Sequence, residues 1–208
     1  MADAAAVLNT SPVIPVVTID DPQDAVPLAR ALADGGVGII ELTLRTESAL
    51  TSLKLIANEV PEILVGAGTI LTPGQADAAV AAGARFLVSP GVTPALLTSM
   101  LSLDVPVLPG VATVGEVMAV LEAGLDAMKF FPAGPAGGPS YLAAIGAPIP
   151  QVRFCPTGGI SLATAPDYLA LPNVACVGGS WLTPAAAVAA KDWDRITGLA
   201  RGAAALSR

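Results

Sequence analysis

A closed (β/α)8 barrel, of the TIM-barrel kind, is the fold class the sequence predicts, and three observations predict it. Eight apolar runs of strand length recur along 208 residues, an Ala/Leu-rich stretch of helical length follows each run, and no composition break or linker divides the chain. Strict alternation of strand and helix implies parallel strands joined by right-handed crossovers. No switch point of an open doubly wound sheet is visible. The span 1–208 is therefore expected to be a single domain, at the short end for a fold that usually takes about 250 residues.

The elements follow in order. Strands are expected near 13–18 (VIPVVT), 38–43 (GIIELT), 63–67 (ILVGA), 85–89 (RFLVS), 105–108 (VPVL), 127–131 (AMKFF), 152–156 (VRFCP) and 174–178 (VACVG). Between and after them, helices are expected near 22–34, 46–59, 73–82, 94–102, 113–123, 139–146, 161–170 and 184–205, several opened by Thr, Ser or Asp at the N-cap.

Composition narrows the function. The chain is 53% hydrophobic with a net charge of −7, so it offers no basic face for nucleic acid, whose binding is driven by phosphate neutralisation. A small-molecule partner is expected, with no nucleic acid and no membrane, since no apolar run approaches the roughly 20 residues of a membrane span. The first residues, "MADAAAVLNTSPVIP", lack the basic and apolar regions of a secretory signal, so a cytoplasmic location is expected. Cys155 and Cys176 lie in strand-like runs and are expected to pack as small hydrophobes rather than as a disulfide. There is no histidine. That removes the usual general base, the Ser–His and Cys–His nucleophile pairs and the commonest zinc ligand.

In a barrel of this kind the reactive groups sit at the C-terminal ends of the strands. In "IIELTLR" the residues Ile39, Glu41 and Thr43 share one face, and Arg45 continues that parity past the strand. A carboxylate, a hydroxyl and a guanidinium converge there, either as a functional set or as a structural Glu41–Arg45 ion pair. Lys129 is one of three lysines and lies in the apolar "AMKFF". It shares parity with Ala127 and Phe131, which points it into the interior. A lysine withdrawn from water holds more of its population as free amine, and a free amine attacks ketones. The competing reading is a lysine that neutralises Glu41 or snorkels to the rim. Lys54 and Lys191 lie in polar helical surroundings and read as solvated.

The last two strands end in "CPTGGIS" and "VGGSWLTP". Paired glycines before a helix let backbone N–H groups approach an anion, and in barrels the loops after strands seven and eight often hold phosphate. Thr69, on the Gly-shaped turn of "VGAGT", can hold a carboxylate or act as an ordinary cap; Ser89 and Pro90 shape the pocket or simply turn the chain.

Taken together, "ELTLRT" (41–46), "VGAGT" (65–69), "SPG" (89–91), "KFFPA" (129–133), "QVRFCPTGGI" (151–160) and "GGSW" (178–181) resemble, in this order, the signatures of the 2-keto-3-deoxy-6-phosphogluconate (KDPG) aldolases, also active on 4-hydroxy-2-oxoglutarate (KHG). The resemblance spans about residues 12–201. It implies a class I, Schiff-base aldolase that cleaves KDPG to pyruvate and glyceraldehyde 3-phosphate, with no cofactor and no metal. It also implies that Lys129 is the Schiff-base lysine and Glu41 the general acid/base. Arg45 and Thr69 match residues that hold the pyruvate carboxylate, and Phe131 and Pro90 match pocket walls. Thr157 matches a position that sets stereochemical preference. Gly158, Gly159, Gly179 and Ser180 match the phosphate site. The family forms trimers, so a homotrimer is expected. Some members carry a basic residue near the end of the first strand, where this chain has Thr18. Alternatives are the sister aldolase for the galactonate epimer, a non-covalent phosphate-binding isomerase that uses Glu41 as a base, and a non-catalytic binding barrel.

Overall fold

The computed structural model describes residues 3–207; Met1, Ala2 and Arg208, at the ends of the expected 1–208 domain, lie outside the described residues. The fold is α/β, built on a curled parallel sheet. Its strands are β1 (Val13–Val17), β2 (Ile39–Thr43), β3 (Leu64–Gly68), β4 (Leu87–Val88), β5 (Val107–Leu108), β6 (Gly110–Val111), β7 (Ala127–Phe130), β8 (Arg153–Pro156) and β9 (Val177–Gly179). Six of them pair in the order β5-β4-β3-β2-β1-β9, so the last strand lies beside the first; β6, β7 and β8 form a second ladder. Isolated parallel bridges, Phe154 with Val174 and Thr157 with Gly178, link the β8 segment to the β9 segment.

Each of the eight expected strands has a counterpart, and the fifth differs in an instructive way. It runs on past 105–108 and is interrupted at Pro109, which has no N–H to donate to a ladder. The Pro109 carbonyl still accepts from Lys129 N at 3.0 Å, so the chain keeps its place beside β7.

The helices are α1 (Ala4–Asn9), α2 (Ala25–Asp34), α3 (Ala49–Glu59), α4 (Pro73–Ala81), α5 (Pro94–Leu101), α6 (Val114–Glu122), α7 (Gly138–Gly146), α8 (Ala165–Leu169), α9 (Ala185–Ala189) and α10 (Trp193–Ala204). Three depart from expectation. α1 precedes the first strand, capped by Asp3 and burying Ala4, Val7 and Leu8 at helical spacing. The helix expected over 161–170 shrinks to α8, because Ser161 and Thr164 spend their hydroxyls on each other's backbone. The long helix expected over 184–205 breaks at Lys191, whose φ is +53°. Asp192 then caps α10 by accepting from Arg195 N at 3.1 Å.

Phe86, Phe130 and Phe154 are the largest side chains shut away from water, each worth about 1.5–3 kcal/mol of hydrophobic stabilisation. Phe130 stacks on Tyr141 of α7 at 5.8 Å between centroids. Alternation along β7 therefore turns Ala127 and Lys129 the other way, toward the sheet's inner face. Cys155 is a free buried thiol, so it is not bridged to Cys176. Among the described residues no helix is long and apolar enough to cross a membrane.

Candidate active site

Lys129 and Glu41 enter the interior from β7 and β2 and meet there. Lys129 Nζ donates to Glu41 Oε1 at 3.0 Å. The two residues are only 4% and 3% exposed, which makes this a desolvated ion pair, one that is costly to break by removing either partner. Nζ also lies 5.4 Å from the centre of the Phe131 ring, within cation–π range. Parity had aimed both groups at the same space.

Gly68, the last residue of β3, makes room for the carboxylate. A Cβ built on Gly68 would fall 2.1 Å from Glu41 Oε1 and 2.6 Å from its Cγ and Cδ. The Glu41 side chain packs against the bare Gly68 backbone, and the lysine holds the same Oε1. Thr69 follows with φ +61°, a left-handed conformation that is costly for a threonine and tends to occur where a side chain must be aimed. Its hydroxyl accepts from Arg45 Nε at 3.2 Å. Arg45 therefore pairs with Thr69, not with Glu41, and the structural ion pair envisaged from the sequence does not form.

Above this pair a cavity of about 260 Å³ is lined by Thr18, Arg45, Phe131, Thr157, Gly158, Gly159, Gly179 and Ser180, among others. Seven of those eight are sequence-predicted site residues, drawn from four different strand ends. Gly158 and Gly159 adopt φ of +104° and +79°, open to glycine at no steric cost. Gly178 is a second steric slot: its Cβ would fall 2.2 Å from Thr157 Oγ1. At Gly179 a Cβ would land 1.8 Å from the Trp181 ring.

Glu41, Thr69, Pro90 and Lys129 do not line the cavity. The Pro90 backbone abuts Gly110, whose Cβ would lie 2.3 Å from Pro90 C, while the buried Ser89 hydroxyl accepts from Gly110 N at 3.3 Å. Lys54 is exposed, and Lys191 pairs with Asp24 at 3.3 Å. Sequence reading missed Gly68 and Gly178 as positioning residues. The only available signal was a glycine inside a strand-like run, which marks a close approach without saying of what.

A larger cavity of about 640 Å³ adjoins the first, sharing Val16, Thr18 and Ser180 and walled by Asp20, Asp21 and Asp24. The smaller one holds the converging donors and is lined by Phe131, whose ring centre lies 5.4 Å from Lys129 Nζ. Among the described residues no group of three or more His, Cys, Asp or Glu is placed to hold a metal ion.

A buried amine touching a carboxylate, a guanidinium–hydroxyl pair beside it and glycine loops across the cavity is an arrangement suited to a carbonyl substrate with an anion at each end. The family model for KDPG and KHG aldolase matches residues 4–199. The KHG/KDPG aldolase of Escherichia coli (strain K12) is 52% identical over 200 residues, covering 96% of this chain and 94% of its own. Among solved structures, the KDPG aldolase from Legionella pneumophila, with pyruvate captured at low pH as a covalent carbinolamine intermediate, superposes with a TM-score of 0.96 at 49% identity over 98% of this chain and 99% of that one. The 2-keto-3-deoxy-6-phosphogluconate aldolase of Zymomonas mobilis ZM4 with 3-phosphoglycerate gives a TM-score of 0.93 at 46% identity, covering 99% and 97%.

Proposed function

The chain belongs to the KDPG and KHG aldolase family, and from that premise we propose that it is a class I aldolase cleaving 2-keto-3-deoxy-6-phosphogluconate to pyruvate and glyceraldehyde 3-phosphate, and 4-hydroxy-2-oxoglutarate to pyruvate and glyoxylate. The observation that carries the proposal is the buried 3.0 Å contact between Lys129 Nζ and Glu41 Oε1.

That hydrogen bond is the path by which the ammonium proton leaves Nζ. The freed amine adds to the C2 ketone to give a carbinolamine, whose hydroxyl takes that proton back from Glu41 and leaves as water to give an iminium. Glu41, directly or through a water, accepts the proton of the C4 hydroxyl. The C3–C4 bond then breaks, its electron pair flows into the iminium to leave an enamine, and the aldehyde departs. Protonation at C3 and hydrolysis release pyruvate and restore Lys129. The iminium is the electron sink, so the route calls for no metal or cofactor. A carbinolamine trapped in the Legionella pneumophila relative supports the first step.

Arg45 holds the substrate carboxylate by a forked contact, its guanidinium oriented by Thr69. Phe131 walls the imine, with Pro90 acting from behind β6, and Thr157 faces the carbon that carries the new hydroxyl. Gly158, Gly159, Gly179 and Ser180 cradle the phosphate; that the ligand class carries a phosphate is supported by the Zymomonas mobilis relative, solved with 3-phosphoglycerate. Binding at that far end aligns the scissile bond.

The same reading extends to the whole chain: a single domain, an eight-stranded closed barrel in which β5 and β6 count as one strand, a cytoplasmic location and a homotrimer. Closure is supported by the β1–β9 pairing and the two bridges between the β8 and β9 segments. Borohydride reduction in the presence of pyruvate, followed by peptide mapping, tests the chemistry. A pyruvyl adduct on Lys129 is expected; its absence ends the covalent route.

A further inference from the structure

Thr18 stands where the two cavities meet and lines both. Its hydroxyl lies 2.9 Å from the Thr43 hydroxyl, and Thr43 Oγ1 lies 3.0 Å from the Val17 carbonyl oxygen. Each hydroxyl owns one proton, and a carbonyl can only accept. Both hydrogen bonds therefore form together in one arrangement alone: Thr43 donates to Val17, and Thr18 donates to Thr43. Thr43 is 0% exposed, so no water replaces a bond forfeited there. With its proton committed inward, Thr18 shows the cavity only lone pairs.

The wall beyond it has the same polarity. Asp20, Asp21 and Asp24 line the adjoining space, and carboxylates only accept; Asp24 is already paired with Lys191 and one Asp21 oxygen takes the Gln23 N–H, which leaves Asp20 and the second Asp21 oxygen as acceptors. The smaller cavity is lined as well by Ser180, at the end of the β9 strand that pairs with β1, and by Gly158 and Gly159, whose loop N–H groups are donors suited to a phosphate. The glycine loop thus asks for an acceptor and Thr18 for a donor.

We propose that Thr18 is a specificity-determining residue whose hydroxyl accepts a hydrogen bond from a substrate hydroxyl on the carbon chain beyond C4. This rests on the aldolase reading above and refines its substrate class to polyhydroxylated 2-keto-3-deoxy acids. A substrate such as 4-hydroxy-2-oxoglutarate, which ends in a carboxylate, has no hydroxyl to offer there and gains nothing from Thr18.

The test is the ratio of kcat/KM for 2-keto-3-deoxy-6-phosphogluconate to that for 4-hydroxy-2-oxoglutarate, measured on the unaltered protein and on Thr18→Val, Thr18→Ala and Thr18→Ser. In Thr18→Val and Thr18→Ala the ratio should fall about three- to tenfold, the worth of one neutral hydrogen bond; Thr18→Ser, which keeps the hydroxyl, should hold it within about twofold. An unchanged ratio, with both rates held or falling in step, overturns the assignment by reducing Thr18 to a prop for Thr43. Failure of the unaltered protein to cleave either substrate overturns the aldolase reading together with it.

Discussion

Glu41 is a buried carboxylate and Glu116 a half-buried one, and their surroundings are opposite in kind. Glu116, in the first turn of α6, accepts with one oxygen from Ala112 N, Thr113 N and Thr113 Oγ1 at 2.8, 2.8 and 3.0 Å. All three donors are neutral and lie within four residues. Glu41 accepts from a single ammonium 88 residues away, and its other oxygen takes no hydrogen bond among the described residues. Saturation by the chain's own turn makes Glu116 a cap, whose proton affinity serves the helix. One partner that carries a transferable proton suits Glu41 to the reactive pair proposed above.

Removing the partner is the harshest way to break that contrast. Lys129→Ala is expected to abolish cleavage and the borohydride-trapped pyruvate adduct while the chain still folds. Its stability should fall by up to about 3–5 kcal/mol, because the buried Glu41 charge is left uncompensated. A cleavage assay, the trapping reaction and a denaturant titration together check it; retained turnover would remove the lysine from the mechanism.

The slot behind Glu41 sharpens the contrast next. Gly68 has no positive φ, so alanine fits its backbone and the clash falls on the Glu41 side chain. Gly68→Ala should slow proton exchange at the pyruvate methyl group about 10²-fold, the low end of what a positioned acid/base contributes. Slow pyruvate trapping should survive. Glu41→Gln should behave alike, and adding Gly68→Ala to Glu41→Ala should cost nothing further in exchange, since the group it displaces is gone. A full additional loss in the double variant would show that Gly68 acts on the backbone instead.

The contrast also explains what the sequence could reveal. Glu41 and Lys129 were legible because a two-residue period fixes the face of each strand and the barrel rule fixes the end, so two distant stretches could be aimed at one point without knowing their distance. The glycine loops and Arg45 followed by the same logic. Gly68 and Gly178 were not legible, since each is defined by a side chain more than twenty residues away that no local pattern encodes. The break at Lys191 was hidden because the segments on both sides favour helix in composition, and only the Asp192 cap divides them. The role of Thr18 needed a hydrogen-bond direction, which exists only once Thr43 and Val17 are in place.

The smallest expected effect lies at Glu116, where the carboxylate should matter for stability and not for chemistry. The Ala112 N–H, foremost, holds its carboxyl below the usual carboxylate range; partial burial pulls the other way, and the Thr113 hydroxyl and N–H add to the lowering. A depressed folded-state value means that the ionised form stabilises the fold at pH above the unfolded carboxylate's range, and that this contribution is lost as pH falls through the lowered value. Glu116→Gln keeps the side-chain length but cannot titrate. It should cost roughly 0.5–1 kcal/mol near neutral pH, the usual scale of a capping interaction, leave cleavage and methyl exchange untouched, and converge with the unaltered protein as the medium is acidified. Thermal melts at a series of pH values measure the gap. A gap that stays constant into acid would mean that the charge contributes nothing and the cap works by shape alone, which would erase the electrostatic half of the distinction between the two glutamates.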